Sequence, residues 1–249
     1  MWSPLVILGD NLSINSTFLI IPGGFGPFVA GLLLTRLVHG PESVKSWLKT
    51  IFTIKIKYTW YLLALILPLV AGIIAIIFYS ILNQVSIDFS LTSSFFAYPL
   101  FLVFIFFLGG GQEEPGWRGF ALPHLLKKFS PFIASVFIGM MWTFWHTPLF
   151  FVSGSAQHNL PFIWYFINTF AISIILTVLY IKLKSVIPAM LVHAGLNTLG
   201  NYVPFPSGIE LLYPYLTIVN CFLAFVIIAL FIGLHQFIQY NPYNNQKEG

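Results

Sequence analysis

Glu113 and Glu114 are adjacent carboxylates at the end of a long uncharged run, and Arg118 follows Glu114 by four residues. His146 lies in a second apolar segment, and His193 and Asn197 lie four apart in a third. A charged side chain at the centre of a bilayer costs about 2.5–3.5 kcal/mol on insertion scales. Three apolar segments that each carry polar groups of this kind point to one shared site. A carboxylate, two imidazoles and an amide are the parts needed for hydrolysis. A general base takes a proton from water, a second group orients it, and N–H donors stabilise an oxyanion.

Spacing refines the reading. On a helix, Glu114 and Arg118 fall on one face and can pair. Glu113 is rotated from Glu114 by about 100° and points elsewhere, where it is able to act. Trp142 stands at i−4 to His146, so its indole face can hold the imidazole. Each group alone has an ordinary explanation: an interfacial ion pair, a satisfied core histidine, or polar glue between helices. Their joint occurrence favours a site. His39, His124, His158 and His235 sit in loops or at span ends and are assigned no role. No G-x-S-x-G, H-E-x-x-H or P-loop pattern is present, so serine hydrolase, zincin and nucleotide-driven readings lack support.

The elements that must position these residues are membrane helices. Hydrophobic residues make up 58% and charged residues 7% of the 249-residue chain, with a mean hydropathy of +0.89. A soluble domain carries about 25% charged residues. A span needs about 20 apolar residues, which predicts an all-α, polytopic helical bundle with about seven transmembrane helices, near 16–38, 58–82, 94–112, 131–152, 160–181, 187–203 and 212–238. Two interfacial amphipathic helices are expected on the cytoplasmic surface, over 39–57 and 119–129. Gly109-Gly110-Gly111 and Pro115-Gly116 flank the carboxylates and break the helix there, which is tolerated at membrane depth where the backbone lines protein or a hydrated cavity.

The net charge of +4 is explained by topology. Every Lys and Arg falls in alternate loops, and the intervening loops carry Asp10, Asp88 and Glu210. This positive-inside pattern puts the C-terminus and the Glu113–Lys128 connection in the cytoplasm, with the site opening on that side, and makes a nucleic-acid partner unnecessary. Cys221 stands alone in an apolar span, so a disulfide or thiolate cluster within the chain is excluded. Met1–Gly9 is too short to span and is expected either at the interface or as the remnant of a longer segment, with no cleavable leader visible. Residues 1–249 read as one integral membrane domain with a flexible cytoplasmic tail over 241–249.

The run Glu113-Glu114-Pro115-Gly116-Trp117-Arg118 resembles the E-E-x-x-x-R motif of the CPBP (Abi) family, the CAAX-processing and bacteriocin-processing intramembrane proteases. Trp142 to His146 is similar to that family's F-x-x-x-H motif, with Trp in place of Phe, and His193 to Asn197 to its H-x-x-x-N motif. The likeness covers roughly residues 58–204; a short N-terminus is the clearest departure, since relatives often have another span there. The resemblance implies that Glu113 and His146 activate the attacking water. It implies further that His193 and Asn197 stabilise the oxyanion, while Glu114 and Arg118 support the site. It implies a peptide or protein substrate delivered by the lipid bilayer, in a bacterial cell membrane. The family is commonly labelled metalloprotease, and Glu113, His146 and His193 would make the three protein ligands a catalytic zinc takes. Metal-independent water activation is the preferred expectation, with a divalent ion as the alternative. Two rival functions stand beside it: a non-enzymatic bacteriocin-immunity or scaffold protein that binds in the same cavity, and an ion-coupled transporter using the same groups as a proton relay. The transporter reading expects broken helices in two matching halves, and the sequence has one such break.

Overall fold

The computed structural model describes residues 17–52, 54–86, 92–153, 155–202 and 209–239. The expected opening segment 1–9 and tail 241–249 lie outside them. Among the described residues the regular structure is all helical. In chain order the main helices are α1 Thr17–Gly24, α2 Gly26–His39, α3 Glu42–Ile51, α4 Tyr58–Asn83 and α5 Thr92–Leu108. After a segment of short turns come α6 Pro131–His146, α7 Phe162–Leu183, α8 Ile187–Tyr202, α9 Ile209–Phe231 and α10 Leu234–Gln239.

Four stretches are long and apolar enough to cross a bilayer: Tyr58–Asn83, Pro131–Phe151, Phe162–Leu183 and Glu210–Phe231. The other three expected spans are present as shorter apolar helices, two of them interrupted. The reason is local. The first expected span is divided between α1 and α2 at Phe25, with Pro22 and Pro27 on either side. The third ends at Leu108, because Gly109 and Gly110 stop α5 before the carboxylates.

Helix α7 is the centre of the bundle. It packs against α6 and α9, while α8 packs on α4 and α5 and α9 closes onto α4. Ile175, Leu176 and Val178 of α7 are fully buried against Val192 of α8 and Ile228 of α9. The outer faces are apolar as well: Leu62, Ile66 and Ile73 of α4 and Phe222 and Phe225 of α9 are exposed. An apolar exterior of this extent belongs in lipid rather than water. Cys221 is exposed on α9 beside that belt.

The expected surface helix over 39–57 is α3, and it does more than lie on the membrane. Its apolar side buries Trp47 and Ile51 against Val186 and Met190, and Trp47 Nε1 donates to the Gly119 carbonyl at 3.0 Å. It therefore braces the segment that carries Arg118. The second expected amphipathic helix is short, Leu122–Leu126, and follows a π-turn over Trp117–Ala121.

Candidate active site

The acidic motif is held by a broken backbone. Gly110 adopts φ +146°, a conformation L side chains rarely adopt, and a Cβ there would stand 2.5 Å from Asn197 Nδ2 and 2.8 Å from His193 Nε2. Its N–H donates to Gln112 Oε1 at 2.7 Å. A 3₁₀ turn over Gly111–Glu113 follows, then one helical turn over Glu114–Gly116. Gly116 lies so close to α2 that a Cβ would meet the Pro27 carbonyl oxygen at 2.1 Å. The π-turn over Trp117–Ala121 completes the segment; such bulges are frequent at functional sites.

This path buries Glu113, Glu114 and Arg118 and turns the two carboxylates apart. Arg118 Nη1 lies 3.0 Å from Glu114 Oε2 and 3.1 Å from Oε1. Arg118 Nη2 donates to Ser173 Oγ at 3.1 Å, and Ser173 Oγ donates to the Ser135 carbonyl at 2.9 Å. The guanidinium carbon also stands 5.4 Å from the Trp142 ring centroid, within cation–π range. Glu114 Oε1 receives His193 Nδ1 at 2.8 Å. Glu114 is thus the hub joining the motif segment to α8, and Arg118 ties it to α6 and α7.

Glu113 faces the other way. Its Oε2 accepts from Trp117 Nε1 at 3.4 Å, and its Oε1 stands 3.7 Å from His146 Nε2. His146 Nδ1 meets the Trp142 carbonyl at 2.9 Å. A carbonyl only accepts, so the ring proton sits on Nδ1, and Nε2 of the neutral ring is an acceptor directed at Glu113. Asn197 Nδ2 donates to the Gly109 carbonyl at 2.8 Å, pinning the end of α5. Trp142 serves more than the one expected neighbour. Its indole lies edge-on to both imidazoles, 4.7 Å from the His193 ring and 6.2 Å from that of His146, and its carbonyl holds His146 Nδ1 as well.

Glu113, Trp142, His146, His193 and Asn197 all line one cavity of about 380 Å³. Two acceptors 3.7 Å apart are too distant for a direct hydrogen bond, yet each can reach one shared water at about 2.8 Å. Such a water would donate both protons and turn its lone pairs toward a third group. Sequence reasoning passed over Asn168, Ser173, Tyr213 and Asn220. All four are buried polar groups in apolar spans, the same signal that marked His146.

The cavity walls include Ser155, Ala156, Gln157 and Leu160 and nothing from 117–130. His146 closes α6 at the end far from Pro131, so the site extends toward the 155–160 connection, which carries no Lys or Arg. Among the described residues no three His, Cys, Asp or Glu side chains converge to hold a metal ion. His193 Nδ1 is engaged by Glu114.

Residues 95–199, from α5 through α8, match the family model described as Type II CAAX prenyl endopeptidase Rce1-like. A CAAX prenyl protease 2 from Methanococcus maripaludis is 32% identical over 209 residues, covering 76% of this chain and 76% of that protein. The chain belongs to the Rce1-like CAAX prenyl endopeptidase family. It is an intramembrane protease, with a peptide or protein substrate at the membrane, and the immunity, scaffold and transporter readings give way to hydrolysis. The segment shared with this CAAX protease family holds Glu113, Glu114, Arg118, His146, His193 and Asn197.

Proposed function

We propose that this CAAX protease homologue hydrolyses a peptide bond with a water held between Glu113 and His146. The observation that carries the reading is the 3.7 Å separation of Glu113 Oε1 and His146 Nε2 across the cavity. His146 orients the water and Glu113 takes its proton as the oxygen adds to the scissile carbonyl carbon. The oxyanion that forms faces the His193–Asn197 side. Its collapse breaks the C–N bond, and the proton held at Glu113 passes to the leaving amine. Glu114 and Arg118 position His193 without touching the reacting atoms. Replacing Glu113 tests this role, as argued in the Discussion.

The substrate is a peptide carrying a lipid or a strongly apolar segment next to the scissile bond. Ile105, Leu108, Leu149, Ile172 and Leu196 line the cavity beside the polar groups, and the name CAAX prenyl protease 2 of the Methanococcus maripaludis relative supports a prenylated cysteine near the C-terminus. Each buried methylene is worth about 0.8 kcal/mol, so removing a prenyl chain from a substrate is costly. An internally quenched farnesylated C-a-a-X peptide is expected to show kcat/KM more than about 10-fold above its unprenylated twin. Equal rates on the two peptides would remove the lipid from this proposal.

We place the basic loops and the C-terminus in the cytoplasm, following the positive-inside bias. The Ser155–Leu160 rim then lies on the opposite surface. In a Cys221→Ser background, Ala156→Cys should react with a membrane-impermeant maleimide added outside intact cells. Labelling only after permeabilisation would reverse the orientation.

A further inference from the structure

Beyond Glu113, His146, His193 and Asn197, the same cavity holds a second polar feature supplied by α7 and α9. Asn220 Nδ2 donates to Asn168 Oδ1 at 2.9 Å, and Asn168 Nδ2 donates to the Tyr213 hydroxyl oxygen at 2.9 Å. All three side chains are buried, and Asn168 and Tyr213 line the cavity. The chain of bonds has a direction. Each amide donates onward, and the phenol oxygen at its end accepts. The Tyr213 O–H proton has no protein acceptor among the described residues. A buried donor without an acceptor is disfavoured unless water or a ligand takes the proton. Two asparagines alone would suffice to join α7 to α9; the phenol adds a donor facing the cavity.

The position suits a substrate that also reaches the water. The Tyr213 ring stacks on Tyr165 with centroids 6.2 Å apart, and the Tyr165 ring lies 5.9 Å from that of His146. These two separations bound the His146–Tyr213 distance at about 12 Å. An extended peptide advances about 3.3–3.6 Å per residue, so a group no more than three or four residues from the scissile bond covers any separation up to that limit.

We propose that Tyr213, oriented by Asn168 and Asn220, forms a substrate subsite that donates a hydrogen bond to a carbonyl or carboxylate oxygen of the peptide a few residues from the bond that is cut. The inference rests on the water site described above. With the phenol oxygen already accepting from Asn168, its O–H favours an acceptor on the substrate. The acceptor is either a backbone carbonyl or the peptide's terminal carboxylate, and both chemistries fit the same donor.

The test uses the full-length protein and Tyr213→Phe, which removes the hydroxyl and keeps the ring stacked on Tyr165. With the farnesylated quenched peptide, KM is expected to rise by about 3–10-fold, as for loss of one hydrogen bond. kcat and thermal stability should stay near wild type. The peptide is supplied with a free C-terminal carboxylate and as the C-terminal amide. If the carboxylate is the partner, wild type prefers the acid and Tyr213→Phe erases the preference; if an internal carbonyl is the partner, KM rises equally for both. Unchanged KM for both peptides overturns the proposal, as does a loss of stability with no change in KM, which assigns the cluster to packing. Should wild type fail to cleave the probe, the cleavage reading fails separately. Fluorescence anisotropy of the same peptide on Glu113→Gln, with and without Tyr213→Phe, then decides the subsite. Weaker binding with Tyr213→Phe supports it, and equal or undetectable binding overturns it.

Discussion

Glu113→Gln is expected to lower turnover by about 10²–10⁴-fold, the usual contribution of a general base, while the protein still folds and inserts. The substitution is close to isosteric, and its amide oxygen can still accept from Trp117 Nε1, the partner of Glu113 Oε2 at 3.4 Å. What it removes is the ability to take a proton opposite His146 Nε2. The loss should fall on kcat, since Glu113 is assigned to the reacting water and not to the apolar walls that hold substrate. Single-turnover cleavage of the farnesylated peptide, with peptide binding measured on the same sample, separates the two. Wild-type turnover by a well-folded Glu113→Gln protein would end the proposed mechanism.

Arg118→Met should produce the largest loss of stability. Arg118 and Glu114 are both fully buried, and the guanidinium serves both carboxylate oxygens and Ser173 at once. Removing one partner of a buried pair leaves an uncompensated charge, at a cost of about 3–5 kcal/mol. Arg118→Lys is not a conservative rescue, because a lysine ammonium lacks the planar fork that spans Glu114 and Ser173. The double variant Arg118→Met/Glu114→Met removes both charges and should recover a large part of the loss. Thermal unfolding in detergent micelles, run as a double-mutant cycle, measures the coupling. An Arg118→Met protein as stable as wild type would show that this pair does not hold the motif segment. Activity is expected to fall with the pair as well, since Glu114 fixes His193 through the 2.8 Å contact to Nδ1.

The pair also shows how far sequence alone carries. That Glu114 meets Arg118 while Glu113 points away follows from helical spacing, since neighbours on a helix differ by about 100° and residues four apart share a face. Membrane class and the apolar helices follow from hydropathy, because a bilayer leaves few ways to satisfy a backbone. Family membership was legible in three short motifs in order, from Glu113 to Asn197.

Other features depend on contacts between segments distant in the chain. The glycine break before the carboxylates is legible in the residues themselves, whereas hydropathy does not register the interruption at Phe25 that divides the first expected span into two helices. Helical spacing places Trp142 beside His146, and only packing adds the contact of its ring with His193 of another helix. Asn168 and Tyr213 lie 45 residues apart, and no local pattern links them until α7 and α9 pack together. The direction in which the cavity extends was equally hidden. It depends on where the ends of α6 and α7 lie around the pocket, which is set by packing rather than by any residue's type. Local periodicity and the bilayer's demands therefore determined the helices and the facing of the side chains along each of them. Only the tertiary structure decided which faces meet, because close packing between helices is a property of their joint surfaces and not of either strand of sequence alone.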